Sequence, residues 1–196
     1  MPMASRSFMN EILRKGIHFT SILIVLVYFF LGKQATVTLL ISYLVIILTI
    51  EHFRLDRGFK LPVVHFLLRK KEISSLGSHV YFTLGALVAV SVFSEHVAYA
   101  ALLMTTFGDA SAALVGKRIG RIRIFGNGKS LEGVIAEFIV DLAIGLFFLS
   151  SWPVAILMAV VATLVETYFV KIDDNLVIPV FSGFFVELFF FLSPYI

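Results

Sequence analysis

Asp109 lies inside an apolar run, and Ala112, Gly116 and Gly120 follow it at +3, +7 and +11. On a helix these positions form one stripe of small residues beside a carboxylate. Five cationic residues, Lys117, Arg118, Arg121, Arg123 and Lys129, follow or end that stripe. A carboxylate ligates a hard cation, small residues let backbone come close, and lysines and arginines hold phosphate oxygens. Together they suit a metal-bound polyphosphate.

Three further clusters carry the same chemistry. Gly126-Asn127-Gly128-Lys129-Ser130 resembles the end of a P-loop, but Arg123 stands where the first glycine is required, and no parallel-sheet pattern surrounds it. The P-loop is rejected. Lys129 and Ser130 are still expected to open a helix whose positive end favours an anion, with Lys129, Glu132 and Gly133 on one face. Further on, Glu166 and Asp173 are seven residues apart, on one face if the helix persists. Asp173, Asp174 and Asn175 offer the hard oxygen ligands that Mg²⁺ prefers; as capping residues, one of them is explained without a metal. Near the N-terminus, Glu11, Arg14, Lys15 and His18 form i,i+4 neighbours that serve either as an orientation anchor or as phosphate contacts. Glu137 and Asp141, an i,i+4 pair, and Glu187 lie in apolar sequence. Each needs a partner, a proton, a metal or water, because a charge at the centre of a membrane helix costs at least about 2.5–3.5 kcal/mol.

The elements that must position these groups are membrane helices. The chain has 196 residues, of which 59% are hydrophobic, against about 45–50% in soluble domains. The expected fold is all-α and polytopic: a single membrane-embedded catalytic domain over residues 1–196, with spans near 17–32, 35–50, 76–94, 97–117, 130–149, 152–170 and 176–192. Residues 51–75 form the longest polar stretch, in which 61–71 reads as a short interfacial helix. The first apolar run has no small-x-small cleavage site and reads as a retained helix. Fifteen of the sixteen lysines and arginines, all but Lys33, fall on one side of this arrangement. The positive-inside rule then places the N-terminus in the cytosol and the C-terminus outside. It also brings the polar clusters to the cytosolic face.

Other chemistries find no support. The chain has no cysteine, which excludes disulfides and a thiol nucleophile. His52, His65, His79 and His96 lack zinc-ligand spacing and read as packing or interfacial residues. No Ser-His-Asp arrangement or nucleic-acid module is visible. Small-residue stripes permit a homodimer, and equally permit packing within one chain.

The ordered set of clusters resembles the family of dolichol kinase, phytol kinase and the CTP-dependent diacylglycerol kinase of yeast, which are related to phosphatidate cytidylyltransferases. Glu11, Arg14, Lys15 and His18 resemble its N-terminal motif, and Gly77, Tyr81, Phe82 and Gly85 its glycine-aromatic stretch. Gly108-Asp109-Ala110 with Ala112, Gly116 and Gly120, Lys129-Ser130-Leu131-Glu132-Gly133, and Glu166 with Asp174-Asn175-Leu176 and Pro179 resemble the remaining motifs. The resemblance implies CTP as phosphoryl donor, Mg²⁺, and a membrane lipid alcohol as acceptor: a polyprenol or dolichol, a phytol-type alcohol or diacylglycerol. The cytidylyltransferases' Pro-Gly-His-Gly-Gly run is missing, which favours kinase chemistry over nucleotidyl transfer; a CDP-lipid synthase is the alternative, and an ion-coupled transporter the reading from another class. On the kinase reading Asp109, Asp173, Asp174 and Asn175 hold metal. Lys117, Arg118, Arg121, Arg14, Lys15, His18, Gly116, Gly120 and Ser130 contact phosphates. Lys129 and Glu132 complete the catalytic set, and Glu166 takes the hydroxyl proton. The site is expected to face the cytosol, at the plasma membrane or endoplasmic reticulum.

Overall fold

The computed structural model describes residues 21–57, 73–124, 128–169 and 172–193. The 11–18 cluster, the 61–71 segment, Gly126, Asn127 and Lys171 lie outside these residues. Helix α1 (Ser21–Arg57) is followed by α2 (Ser78–Val92), α3 (Glu95–Leu103), a π-helical segment (Met104–Gly108) and α4 (Asp109–Arg118). A two-stranded antiparallel hairpin comes next, pairing Arg123 with Ser130 and Ile124 with Lys129. Helices α5 (Leu131–Phe148), α6 (Trp152–Tyr168) and α7 (Asp174–Leu192) complete the chain. Each of the seven expected apolar segments is mostly helical over its described residues, with non-helical residues at several of the ends, such as Gly77, Ser94, Ser130 and Phe169. Among the described residues, three helices are long and apolar enough to cross a bilayer by length and composition: Ser21–Arg57, Glu95–Arg118 and Asp174–Leu192.

The first two expected spans share α1, which breaks at Gly32 (φ 78°, ψ 175°). That left-handed φ is open to glycine without the clash a Cβ would bring. The chain turns back there, since Ile24 and Leu40, on opposite sides of the break, line one cavity. The second half runs seven residues past the expected end at residue 50, to Arg57. Glu51 is the reason. It is 1% exposed, and its carboxylate accepts from Arg54 Nε at 3.0 Å, from Arg54 Nη2 at 2.5 Å and from the Gly77 amide at 3.1 Å. Arg54 also donates to the carbonyls of Ile73 and Ser75. A helical turn that reads as loop is thus tied to the segment that opens α2.

Two close crossings set the frame around the polar residues. A Cβ on Gly133 would lie 2.8 Å from the Ala112 carbonyl oxygen, so α4 and α5 meet with backbone almost touching. A Cβ on Gly85 would lie 2.7 Å from the Asn175 carbonyl oxygen and 2.8 Å from Pro179 Cγ, which fixes α2 against the start of α7. Small residues permit such approach where dispersion, rather than water exclusion, draws helices together. The core between them is largely alanine, valine and methionine from α2, α3 and α6, with Tyr28 packed edge-on to Tyr99.

Gly133→Ala should force α4 and α5 apart and cost about 1–3 kcal/mol, as overpacking does. Thermal unfolding of the purified protein should show a lowered midpoint, while Ile139→Ala on the exposed face of α5 should leave it within error.

Candidate active site

The π segment delivers Asp109 to its place. Five residues of wider helix precede it, a geometry often found next to functional groups. Thr105 and Thr106 donate to the carbonyls of Ala101 and Leu102, and the Thr106 hydroxyl also meets Ser21 Oγ at 2.6 Å. Gly108 packs directly on Asp141, whose Oδ1 would stand 2.3 Å from an added Cβ. Asp109 then opens α4 and is 7% exposed.

Carboxylate oxygens of Asp109, Glu166 and Asp174 lie within 4.8 Å of one another. They come from three elements: the start of α4, the last turn of α6 and the first turn of α7. Lys129 Nζ reaches across to Glu166, 2.5 Å from Oε2, and also donates to the Glu166 carbonyl. Behind this group, Glu137 and Asp141 are each 1% exposed, and Glu137 is flanked by Glu166, Asp141 and Asp109. Glu137 Oε2 and Asp141 Oδ1 have no hydrogen-bond partner among the described residues. Glu166 Oε2 has none of good geometry either, but its ion pair with Lys129 is short. Several carboxylates thus lie buried close together, with Lys129 paired to Glu166. Three oxygen donors converging in that setting fit a divalent ion such as Mg²⁺.

A cavity of about 440 Å³ opens beside them. It is lined by Asp109, Glu166 and Asp174, and by the cations Lys117, Arg123 and Lys129; Gly116 and Gly133 add backbone without bulk. Both signs of charge therefore meet in one pocket, as a metal–polyphosphate ligand requires.

The other expected site residues are placed as follows. Asp173 is the N-cap of α7; its carboxylate accepts from the Asn175 amide at 3.3 Å, from Asn175 Nδ2 at 2.7 Å and from Ser78 Oγ at 3.1 Å. Asn175 is 2% exposed and also bonds Asp174 Oδ1. The helix carrying Glu166 ends at Tyr168, so Glu166 and Asp173 do not share a continuous face; the chain turns, and Asp174 meets Glu166. Ser130 is the N-cap of α5, with Oγ accepting from the Gly133 amide at 3.1 Å. Lys129 precedes that helix on a strand, and this lets it cross to Glu166. Glu132 accepts from the backbone amides of Arg121 at 2.9 Å and Ile122 at 3.3 Å, fixing the hairpin to α5. Gly120 falls beyond the end of α4 and packs on Ser130, so the small-residue stripe ends at Gly116. Arg118 and Arg121 are exposed. Arg123 lines the cavity and donates to the Gly128 carbonyl at 2.7 Å. Glu187 caps the loop before α3 through the Ser94 amide at 2.6 Å.

Sequence reasoning passed over Glu51 and Arg54, and read His79 as a packing or interfacial residue. His79 Nε2 lies 3.7 Å from Glu51 Oε1. The available signal was the i,i+3 spacing of Glu51 and Arg54 at the end of an apolar helix.

A helical membrane protein with a carboxylate–lysine site is what the fold defines. Comparison with known proteins gives the chain relatives. The chain is 29% identical to an uncharacterized protein of Methanocaldococcus jannaschii over 91% of this chain and 94% of the other, and 29% identical to an uncharacterized protein of Rickettsia prowazekii over 90% and 93%. It is 30% identical to CTP-dependent diacylglycerol kinase 1 of Eremothecium gossypii over 64% of this chain and 48% of that one, and 29% identical to the protein of the same name in Saccharomyces cerevisiae over 62% and 51%. The chain thus spans about half the length of these two kinases. No protein-family model and no solved structure matches it.

Mg²⁺ should raise the thermal midpoint of the purified protein over that in EDTA, because an ion that binds only the folded chain stabilises it. Asp174→Asn should flatten that dependence. Asp173→Ala should lower the midpoint by the loss of a cap, about 1 kcal/mol, yet keep the response to Mg²⁺.

Proposed function

We propose that the protein is a CTP-dependent lipid kinase, moving the γ-phosphate of CTP to the hydroxyl of a membrane lipid alcohol. The observation that carries this reading is the meeting of Asp109, Glu166, Asp174 and Lys129 in a mixed-charge cavity, within a chain that is partly similar to CTP-dependent diacylglycerol kinases.

Phosphoryl transfer through a loose transition state depends on positioning and charge neutralisation more than on covalent help. Mg²⁺, held by Asp109, Glu166 and Asp174, would supply positive charge to the phosphate oxygens. Lys129, fixed by its pairing with Glu166, is a rigid cation at the cavity wall. Lys117 and Arg123 line the same cavity and hold the remaining phosphate charge. Ser130, Gly133 and Glu132 keep the strand and hairpin in register so that Lys129 stays in place. Glu166 lies where it meets the hydroxyl proton, but its pairing with Lys129 and the proposed ion leaves it a weak base, and a loose transition state asks little of one as the new P–O bond forms and the bond to CDP breaks. The site faces the cytosol on this reading, where CTP is available and where the lysine- and arginine-rich loops belong by the positive-inside rule.

Purified protein given γ-labelled CTP, Mg²⁺ and a panel of diacylglycerol, polyprenol and phytol-type alcohols should move label into lipid and release CDP. Asp109→Asn and Lys129→Ala should each lower kcat/KM by about 100-fold or more, the loss expected when one preorganised charge is removed from a transition state. Label leaving as pyrophosphate with a CDP-lipid formed would identify a cytidylyltransferase instead.

A further inference from the structure

A second cavity lies away from the polar one. It has a volume of about 380 Å³ and sits between the two halves of α1 and the first turns of α2. Its wall is mainly Leu23, Ile24, Val27, Leu39, Leu40 and Phe82. Two threonines line it as well, but their hydroxyls are already spent: Thr36 donates to the Gly32 carbonyl at 2.8 Å, and Thr83 to the His79 carbonyl at 2.8 Å. The cavity therefore presents hydrocarbon, and a polar ligand would leave its own groups unpaired there, at a cost of about 1–3 kcal/mol each.

One side of the cavity is open. Leu23, Leu39 and Tyr43 line it and are 59%, 52% and 49% exposed, within an α1 surface that also shows Phe29, Phe30 and Val45. An apolar helix surface of that kind faces lipid, so a hydrocarbon chain enters from the bilayer without crossing water. From Thr36 to Tyr43 the wall extends about 10 Å along the helix axis, and the volume falls in the range of small-ligand sites.

The α2 wall of the cavity is linked to the start of α7. His79 lines the cavity and stands 3.7 Å from Glu51. Its neighbour Ser78 donates to Asp173 at 3.1 Å, and Asp173 immediately precedes Asp174 of the carboxylate group. His79 thus sits next in the chain to the hydrogen bond that fixes the start of α7.

We propose that this cavity holds one hydrocarbon tail of the lipid acceptor and so sets the depth and lateral position of its hydroxyl. The inference rests on the lipid-kinase reading for the identity of the acceptor, while the tail site itself rests on the apolar wall, the lateral opening and the presence of His79 in the lining. Leu39 and Leu23 are specificity-determining positions on this account: their side chains meet the tail and never the reacting atoms.

The test uses the full chain in nanodiscs, with two probes: a diacylglycerol and a long-chain prenyl alcohol, each carrying a diazirine in its tail. After photolysis, cross-links should concentrate in residues 23–43 and 79–83 and be competed by unlabelled lipid. Leu39→Trp and Leu23→Trp, both at exposed positions that tolerate a large side chain, should each cut that labelling by at least fivefold and raise the KM for long-chain acceptor by a similar factor. Phe147→Trp, on an outward surface elsewhere, serves as the control. Labelling spread evenly over outward residues such as Phe147, Trp152 and Phe191 would overturn the proposal. So would lipid phosphorylation in which both tryptophan variants keep wild-type labelling and KM; the kinase reading would then survive alone. Concentrated, competable labelling in a protein that phosphorylates none of the acceptors would remove the kinase reading and uphold the tail site.

Discussion

Carboxylates buried together repel one another and lose their hydration, and the rest of this structure is arranged around that cost. Asp109, Glu137, Asp141 and Glu166 are all at most 7% exposed, and Lys129 pairs with Glu166 within the group. Removing charges from water costs several kcal/mol per ion even after relaxation, so the arrangement persists only where opposite charge or protons compensate. A divalent ion among Asp109, Glu166 and Asp174 meets that requirement with the fewest assumptions. The tight glycine crossings, the capped start of α7 and the hairpin pinned by Glu132 all serve to hold those three side chains, and the lysine, at fixed separations.

A polar and an apolar cavity share no lining residue. The polar one mixes carboxylates with lysine and arginine, and its floor is bare backbone. The apolar one has its hydroxyls satisfied internally and opens where α1 meets the bilayer. The start of α7 lies between them: Asp174 faces the polar cavity, and Asp173 is held from the other side by Ser78. On the proposed lipid-kinase reading, a water-soluble phosphate donor and a lipid need this kind of division, and α2 and α7 supply it by packing at Gly85.

Much of this was legible in the sequence. Apolar length located the helices, and the separated Asp109, Lys129, Glu166 and Asp174 were each conspicuous as polar groups in apolar or glycine-rich surroundings. What could not be read was which of several adjacent polar residues turns inward. Asp173 and Asp174 look equivalent in sequence, and only the helix start decides that one caps and the other faces Glu166. Lys129 was expected on the helix, yet its place on a strand is what gives it the reach to Glu166. The end of α1 was hidden for the opposite reason: Glu51 and Arg54 mimic a polar loop until the Gly77 amide is seen to complete their pairing. Cavities, being made by residues far apart in the chain, leave no local pattern at all.

The most direct test is to locate the ion. Crystals of the full chain grown in a lipidic phase with Mn²⁺ in place of Mg²⁺ would give an anomalous difference map at the manganese edge. A peak within coordination distance of carboxylate oxygens from Asp109, Glu166 and Asp174 is the predicted result. A peak confined to other carboxylates, or none in a protein that turns over with Mn²⁺, would contradict the account.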